Sequence, residues 1–200
     1  MRLKNFTLSQ KNKLLGFWLF LSAEIVLFAC LFGVYLALKG SFASYFRNLV
    51  DLKLIFLATI LLLSSSFTIK IATSLMFNVD LKTKDYPLDK RVILCLVLTI
   101  LLGLMFVFLE VYEFMHYVQK GFLFSKNAFA SSFYTLIGTH CLHVLFGICW
   151  LCTLLIQFLK NYLSYEKVLF KIYICSLYWY FVDIVWIFIF TFGYLLGVVS

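Results

Sequence analysis

Charge is scarce in this chain. Only 13% of its 200 residues are charged, about half the roughly 25% of an ordinary soluble domain, which argues against a water-soluble globule. Proline is nearly absent, with Pro87 the only one. No stretch rich in Pro, Gly or Ser divides the chain, so residues 1–200 read as one domain. The six cysteines lie within or at the edge of apolar runs, which is not the pattern of a disulfide framework. Cys149-x-x-Cys152 falls in the middle of such a run, whereas redox pairs of that form open a helix in a soluble fold; these thiols read as small packing residues. A small-residue cleavage site is also missing after the first apolar run. That run extends from Leu14 to Leu38 and holds Glu24, so it reads as a retained span and not a signal peptide. No internal repeat stands out, and the inverted-repeat transporter pattern finds no support.

What is abundant is apolar and aromatic: 64% hydrophobic residues, of which a large part is the 20% Phe, Trp and Tyr. A membrane span needs about 20 apolar residues. Five runs meet that length, at roughly 14–38, 54–76, 92–118, 129–159 and 173–198, predicting an all-α integral membrane protein with five transmembrane helices in one bundle. The net charge of +8 sits mostly between the runs. There it sets orientation and meets anionic lipid headgroups, and nucleic acid is not implied. Counted by alternate segments, eleven Lys and Arg fall on the side of the N-terminus and five on the other. The expectation is a cytoplasmic N-terminus and a periplasmic C-terminus.

Against that background the polar residues inside the spans are conspicuous. Ser176 to Gly197 reads SLYWYFVDIVWIFIFTFGYLLG and holds one carboxylate, Asp183, with no other charge within ten residues on either side. An acid near the centre of a span costs about 3 kcal/mol on insertion scales and is a functional-site candidate by default. At about 1.5 Å of rise per residue, Glu24 and Asp183 lie about 15 Å deep from one side, and His140 and His143 about 17 and 21 Å from the other. In a hydrocarbon core about 30 Å thick these four share one midplane layer. They are expected to face other helices and to pair in part. Glu110 lies in the outer half of the third span, with Glu113 and His116 nearer the outer interface. Lys70, in the last third of the second span, is expected to snorkel. Ser64, Ser65, Ser66 and Thr68 can satisfy themselves against the preceding turn or bond a neighbouring helix. Trp179, Asp183 and Trp186 share one helical face, and Trp186 is too deep to be an interfacial anchor, so it should pack on a partner helix or a lipid tail.

Several chemistries could use these groups. His140-x-x-His143 with Cys141 evokes a metal, but zinc motifs on helices space their His at i, i+4, and a site needs three or four ligands. Glu113-x-x-His116 has the spacing of a di-iron pair, yet such bundles need two pairs and two further Glu. A proton-conducting chain through Glu24, the two His and Asp183, haem ligation, and plain structural pairing all remain open on these residues.

Five segments in order point further: GFWLFLSAEIVLF at 16–28, SSFT at 65–68, LEVYEFMHYVQKG at 109–121, FYTLIGTHCLHVLFGICW at 133–150 and LYWYFVDIVWIFIFTFGYLLG at 177–197. With them the chain resembles subunit III of haem–copper respiratory oxidases, and within that family the cytochrome bo-type quinol oxidases. Its five-span length is similar to the bacterial quinol-oxidase form rather than the seven-span cytochrome c oxidase form.

The resemblance implies a non-catalytic subunit of a bacterial inner-membrane complex that oxidises quinol, reduces O₂ to water and pumps protons. Haem and copper would reside in the partner subunit I, with subunit II and a small subunit IV as further partners. This chain would hold no redox cofactor or metal. It would stabilise the complex, bind phospholipid and support proton uptake. By motif, Glu24 matches the family's intramembrane acid, which is carbodiimide-reactive in several members. His140 and His143 match its paired His, and Asp183 matches the acid of its W-x-F-x-D-x-V-W signature. The proton- or lipid-associated candidates are thus Glu24, Glu110, Glu113, His140, His143 and Asp183, with Trp179 and Trp186 as packing signature. Two positions depart from the pattern: Tyr180 stands where the family usually has His, and Cys141 where it usually has Gly. The competing readings are a small proton-coupled transporter or channel and a haem-binding electron carrier.

Overall fold

A computed structural model describes residues 7–38, 51–77, 90–160 and 165–195. They form five α-helices: α1 (Leu8–Leu38), α2 (Leu52–Phe77), α3 (Lys90–Gln119), α4 (Ala128–Leu159) and α5 (Tyr165–Phe188). A π-helical segment, Ile189–Leu195, continues α5. Among the described residues there is no strand. All five helices are long and apolar enough to cross a membrane, where internal backbone hydrogen bonding is obligatory.

The helix ends carry local signals. Thr7 and Gln10 form a reciprocal cap at the start of α1: the Gln10 N–H donates to Thr7 Oγ1, and the Thr7 N–H to Gln10 Oε1. Asn127 caps α4, its side chain accepting from the Ala130 N–H at 2.7 Å. α3 ends in a Schellman turn. Phe122 N–H reaches the Tyr117 carbonyl, Gly121 N–H reaches that of Val118, and Gly121 sits at φ 77°, where a side chain would be strained.

Two boundary expectations need correction. The segment 160–171, read as a loop, is helical from Tyr165 and takes in Glu166, Lys167 and Lys171. An apolar window measures only the part of a helix that meets hydrocarbon; the helix itself continues through the headgroup zone. Near the other end of α5, the backbone widens to π geometry at Ile189, which apolar content does not signal. The expected loops at 40–49 and most of 78–91 with Pro87, and the orientation residues Arg2, Lys4, Lys39, Arg47, Lys82 and Lys84, lie outside the described residues.

α5 is the core of the bundle. It packs against α1, α2 and α4, while α2 also packs on α3 and α3 on α4. In its most apolar window 67% of residues are buried inside the chain, against 11% in α1. α1 lies at the edge, burying Leu21, Phe28 and Tyr35 at two-turn intervals. Its other faces, with Leu15, Leu19, Ile25 and Val26, are exposed. Such exposure is costless in lipid, which is as apolar as the side chains, so association must come from close packing and polar contacts.

Close packing centres on Trp179, which is fully buried. A Cβ added at Gly103 of α3 would lie 3.0 Å from its ring, and one at Gly147 of α4 would lie 2.9 Å from it. The two glycines therefore form a slot in which the indole of α5 fits between α3 and α4.

Candidate functional site

Polar contacts cross the bundle interior, and they involve residues expected to face other helices and to pair in part. Glu24 of α1 faces His143 of α4, with Oε2 2.9 Å from Nε2. His143 Nδ1 lies 2.7 Å from the Thr139 carbonyl oxygen one turn back. The Tyr178 hydroxyl of α5 donates to the His143 carbonyl at 3.1 Å. The Glu24 and His143 side chains are 17% and 16% exposed, on the seam between α1 and α4.

Asp183 does not join this pair. Its Oδ2 accepts from the Ser66 hydroxyl of α2, and its Oδ1 is buried with no hydrogen-bond partner among the described residues. This bond belongs to a ladder between antiparallel α2 and α5. The Trp186 indole N–H donates to Thr59 Oγ1 at 3.0 Å, and that of Trp179 donates to Ser65 Oγ at 2.8 Å. Thr59 and Ser65 in turn donate to the carbonyls of Ile55 and Leu62, so each hydroxyl serves as donor and acceptor. Thr68 meets Thr99 of α3 at 2.7 Å. The Ser/Thr content of the second span is therefore one wall of the polar layer, and the indoles of α5 are hydrogen-bonded core residues.

His140 is fully buried. Its ring stacks on Trp186 at 5.2 Å between centroids and meets Phe106 edge-on at 5.8 Å. Phe28 of α1 approaches at 6.5 Å and contacts His143 at 5.1 Å. The two His thus lie on one helix in different surroundings, one polar and one aromatic.

Glu110 and Glu113 form a second acidic group on α3. Glu113, expected nearer the outer interface, is only 4% exposed, because α3 turns it toward the bundle. The Tyr117 hydroxyl donates to Glu113 Oε2 at 3.2 Å. Glu110 lies within electrostatic reach of Glu113 and Cys141, and Tyr194 of all three. Tyr35 donates to the carbonyl of Gly193 at 2.9 Å, tying α1 to the π-helical segment.

Among the described residues no three His, Cys, Asp or Glu side chains gather as a metal site requires. His116 is only partly buried, and Glu113 is bonded to Tyr117 on its own helix. All six cysteines are free, and Cys149 is exposed. Thr59, Tyr117, Tyr35 and the glycine pair had not been singled out from the sequence. Glu113 and Tyr117 stand at i, i+4 and were legible as a pair. The partner of Thr59 is more than 120 residues away in sequence, and no local pattern announces it.

Comparison with known proteins assigns the arrangement to a family. The profile of the family described as "Cytochrome c oxidase subunit III" matches residues 4–198. Cytochrome c oxidase subunit 3 of Bacillus sp. (strain PS3) is 48% identical over 98% of this chain and 92% of its own length. Quinol oxidase subunit 3 of Bacillus subtilis (strain 168) is 45% identical, covering 92% of this chain and 87% of its own. Cytochrome bo(3) ubiquinol oxidase subunit 3 of Buchnera aphidicola subsp. Baizongia pistaciae is 39% identical, covering 94% and 93%. Length alone does not separate the quinol and cytochrome c forms, since this chain spans nearly the whole of relatives bearing either name. Five apolar helices, the subunit III motifs in order and a match from residue 4 to residue 198 agree: the chain belongs to the cytochrome c oxidase subunit III family.

Proposed function

We propose that this chain is the non-catalytic subunit III of a proton-pumping quinol oxidase, a multi-pass protein of the bacterial cytoplasmic membrane. Electrons pass through haem and copper in subunit I, and this chain buttresses that subunit together with subunit II and a small subunit IV. The observation that carries the reading is the family match over residues 4–198. The choice of quinol as electron donor rests on the motif resemblance to the cytochrome bo type and on relatives named for quinol oxidases that cover 92% and 94% of the chain. The polar layer supports an accessory role. Asp183 and Glu24 engage Ser and His side chains on other helices, which is how a bundle without a hydrophobic driving force is held in one arrangement. The exposed apolar faces of α1 and its neighbours suit contact with subunit I and with phospholipid acyl chains. The N-terminus is cytoplasmic in this reading, by the excess of Lys and Arg on its side.

Affinity purification of the tagged chain from its own membranes tests the proposal. It should bring down a haem-containing complex with subunits I and II that consumes O₂ with quinol as donor. A complex that oxidises reduced cytochrome c and not quinol would transfer the chain to the other branch of the family. Recovery of the chain alone, conducting protons in vesicles, would refute the accessory role.

A further inference from the structure

The α3–α4 interface holds a feature that neither the pairing of Glu24 nor the ladder to α2 uses. Gly103 meets Ile148, Phe114 meets Tyr134, and Tyr117 meets Phe133. The antiparallel register these contacts fix brings Glu110 of α3 level with His140 of α4. Phe106, one turn before Glu110, touches the His140 ring, and Cys141, the residue after His140, lies within electrostatic reach of Glu110. Both side chains are 0% exposed. Among the described residues, neither oxygen of Glu110 and neither ring nitrogen of His140 has a hydrogen-bond partner.

A fully buried acid and a fully buried imidazole on adjacent helices, each with every polar atom unsatisfied, is an expensive arrangement. In hydrocarbon an unpaired polar group has no solvent to satisfy it and is strongly disfavoured. Buried polar atoms that lack protein partners are ordinarily met by ordered water making about three hydrogen bonds. Surroundings differ on the two sides: His140 is walled by Phe106, Phe28 and Trp186, whereas Glu110 continues outward to Glu113, Tyr117 and Tyr194.

We propose that Glu110 and His140 form an internal water-binding site at the α3–α4 interface, in which water bridges the carboxyl group to the imidazole. The aromatic walls close the site on the His140 side, and Glu113 with its Tyr117 hydroxyl borders it on the other. The ligand class is water itself. A neutral carboxyl and a neutral imidazole offer a donor and an acceptor each, which one or two waters satisfy together. The site is separate from the Glu24–His143 pair, and it does not depend on which oxidase the chain serves.

The test uses the chain as purified from its membrane, in whatever complex it occupies. A density map fine enough to show ordered solvent should reveal water within hydrogen-bond distance of both Glu110 and His140. Isotope-edited infrared difference spectra between H₂¹⁶O and H₂¹⁸O should show internal-water O–H stretching bands. These bands should be lost in the double variant Glu110→Met/His140→Phe and kept in Glu24→Gln. A direct Glu110–His140 contact without intervening density would overturn the site, as would water bands unchanged in the double variant. If the double variant does not accumulate, the density of the unaltered protein decides alone.

Discussion

Glu24 Oε2 lies 2.9 Å from His143 Nε2, while His143 Nδ1 lies 2.7 Å from the Thr139 carbonyl. A carbonyl only accepts, so Nδ1 must carry a hydrogen. One proton then remains for the contact between Nε2 and Glu24. It sits on the carboxyl, giving acid and neutral imidazole, or on Nε2, giving carboxylate and imidazolium. Either way the pair is neutral overall, and the bilayer core is spared an isolated charge.

Glu24→Gln keeps a donor for Nε2 of neutral His143. The variant should assemble with its partners and change turnover little. Glu24→Leu leaves Nε2 unpaired and should weaken the α1–α4 contact by about 1 kcal/mol, the scale of side-chain hydrogen bonds inside membranes. Thermal melting of the purified protein and recovery of partner subunits read both. Loss of the complex with Gln would mean that the carboxylate form is the structural one.

Trp179 gives a steric prediction. Cβ atoms at Gly147 and Gly103 would come within 2.9 and 3.0 Å of its ring, and the ring is held between them. Gly147→Ala and Gly103→Ala should each destabilise by about 1–3 kcal/mol through overpacking. Gly138→Ala has nothing within 4 Å of its new Cβ and serves as the neutral control. Replacing Trp179 by Leu should relieve the Gly147→Ala penalty. Equal melting temperatures for Gly147→Ala and Gly138→Ala would contradict the slot.

For Asp183 the decisive partner is Ser66. Asp183→Asn keeps a carbonyl oxygen to accept from that hydroxyl and should be tolerated. Asp183→Ala and Ser66→Ala each remove one side of the bond and should cost about 1 kcal/mol. The double variant should cost less than the two single costs added together. Strictly additive losses in a double-mutant cycle of melting measurements would show that the two residues do not interact.

Tyr35→Phe removes the hydroxyl that meets the Gly193 carbonyl and leaves the ring packed on Phe129 and Phe133. Faster hydrogen exchange confined to the Ile189–Leu195 segment is expected, with little change elsewhere. Unchanged exchange there would mean that the π geometry holds itself.

Five spans, their approximate limits and the family motifs were legible from residues alone. Apolar run length is a one-dimensional property, and depth follows from counting along each run. That is why Glu24, His140, His143 and Asp183 could be assigned to a common level. Which neighbours they meet was not legible. Spans that are apolar on every side carry no stripe to say how each helix is rotated or what stands beside it. Only the assembled bundle turned Glu24 toward His143 and Asp183 toward Ser66. It likewise buried Glu110 and His140 on neighbouring helices, and fitted Trp179 between Gly103 and Gly147. Depth is decided by the chain's own order of residues; partnership is decided by rotation and register between helices, which exist only once the helices pack.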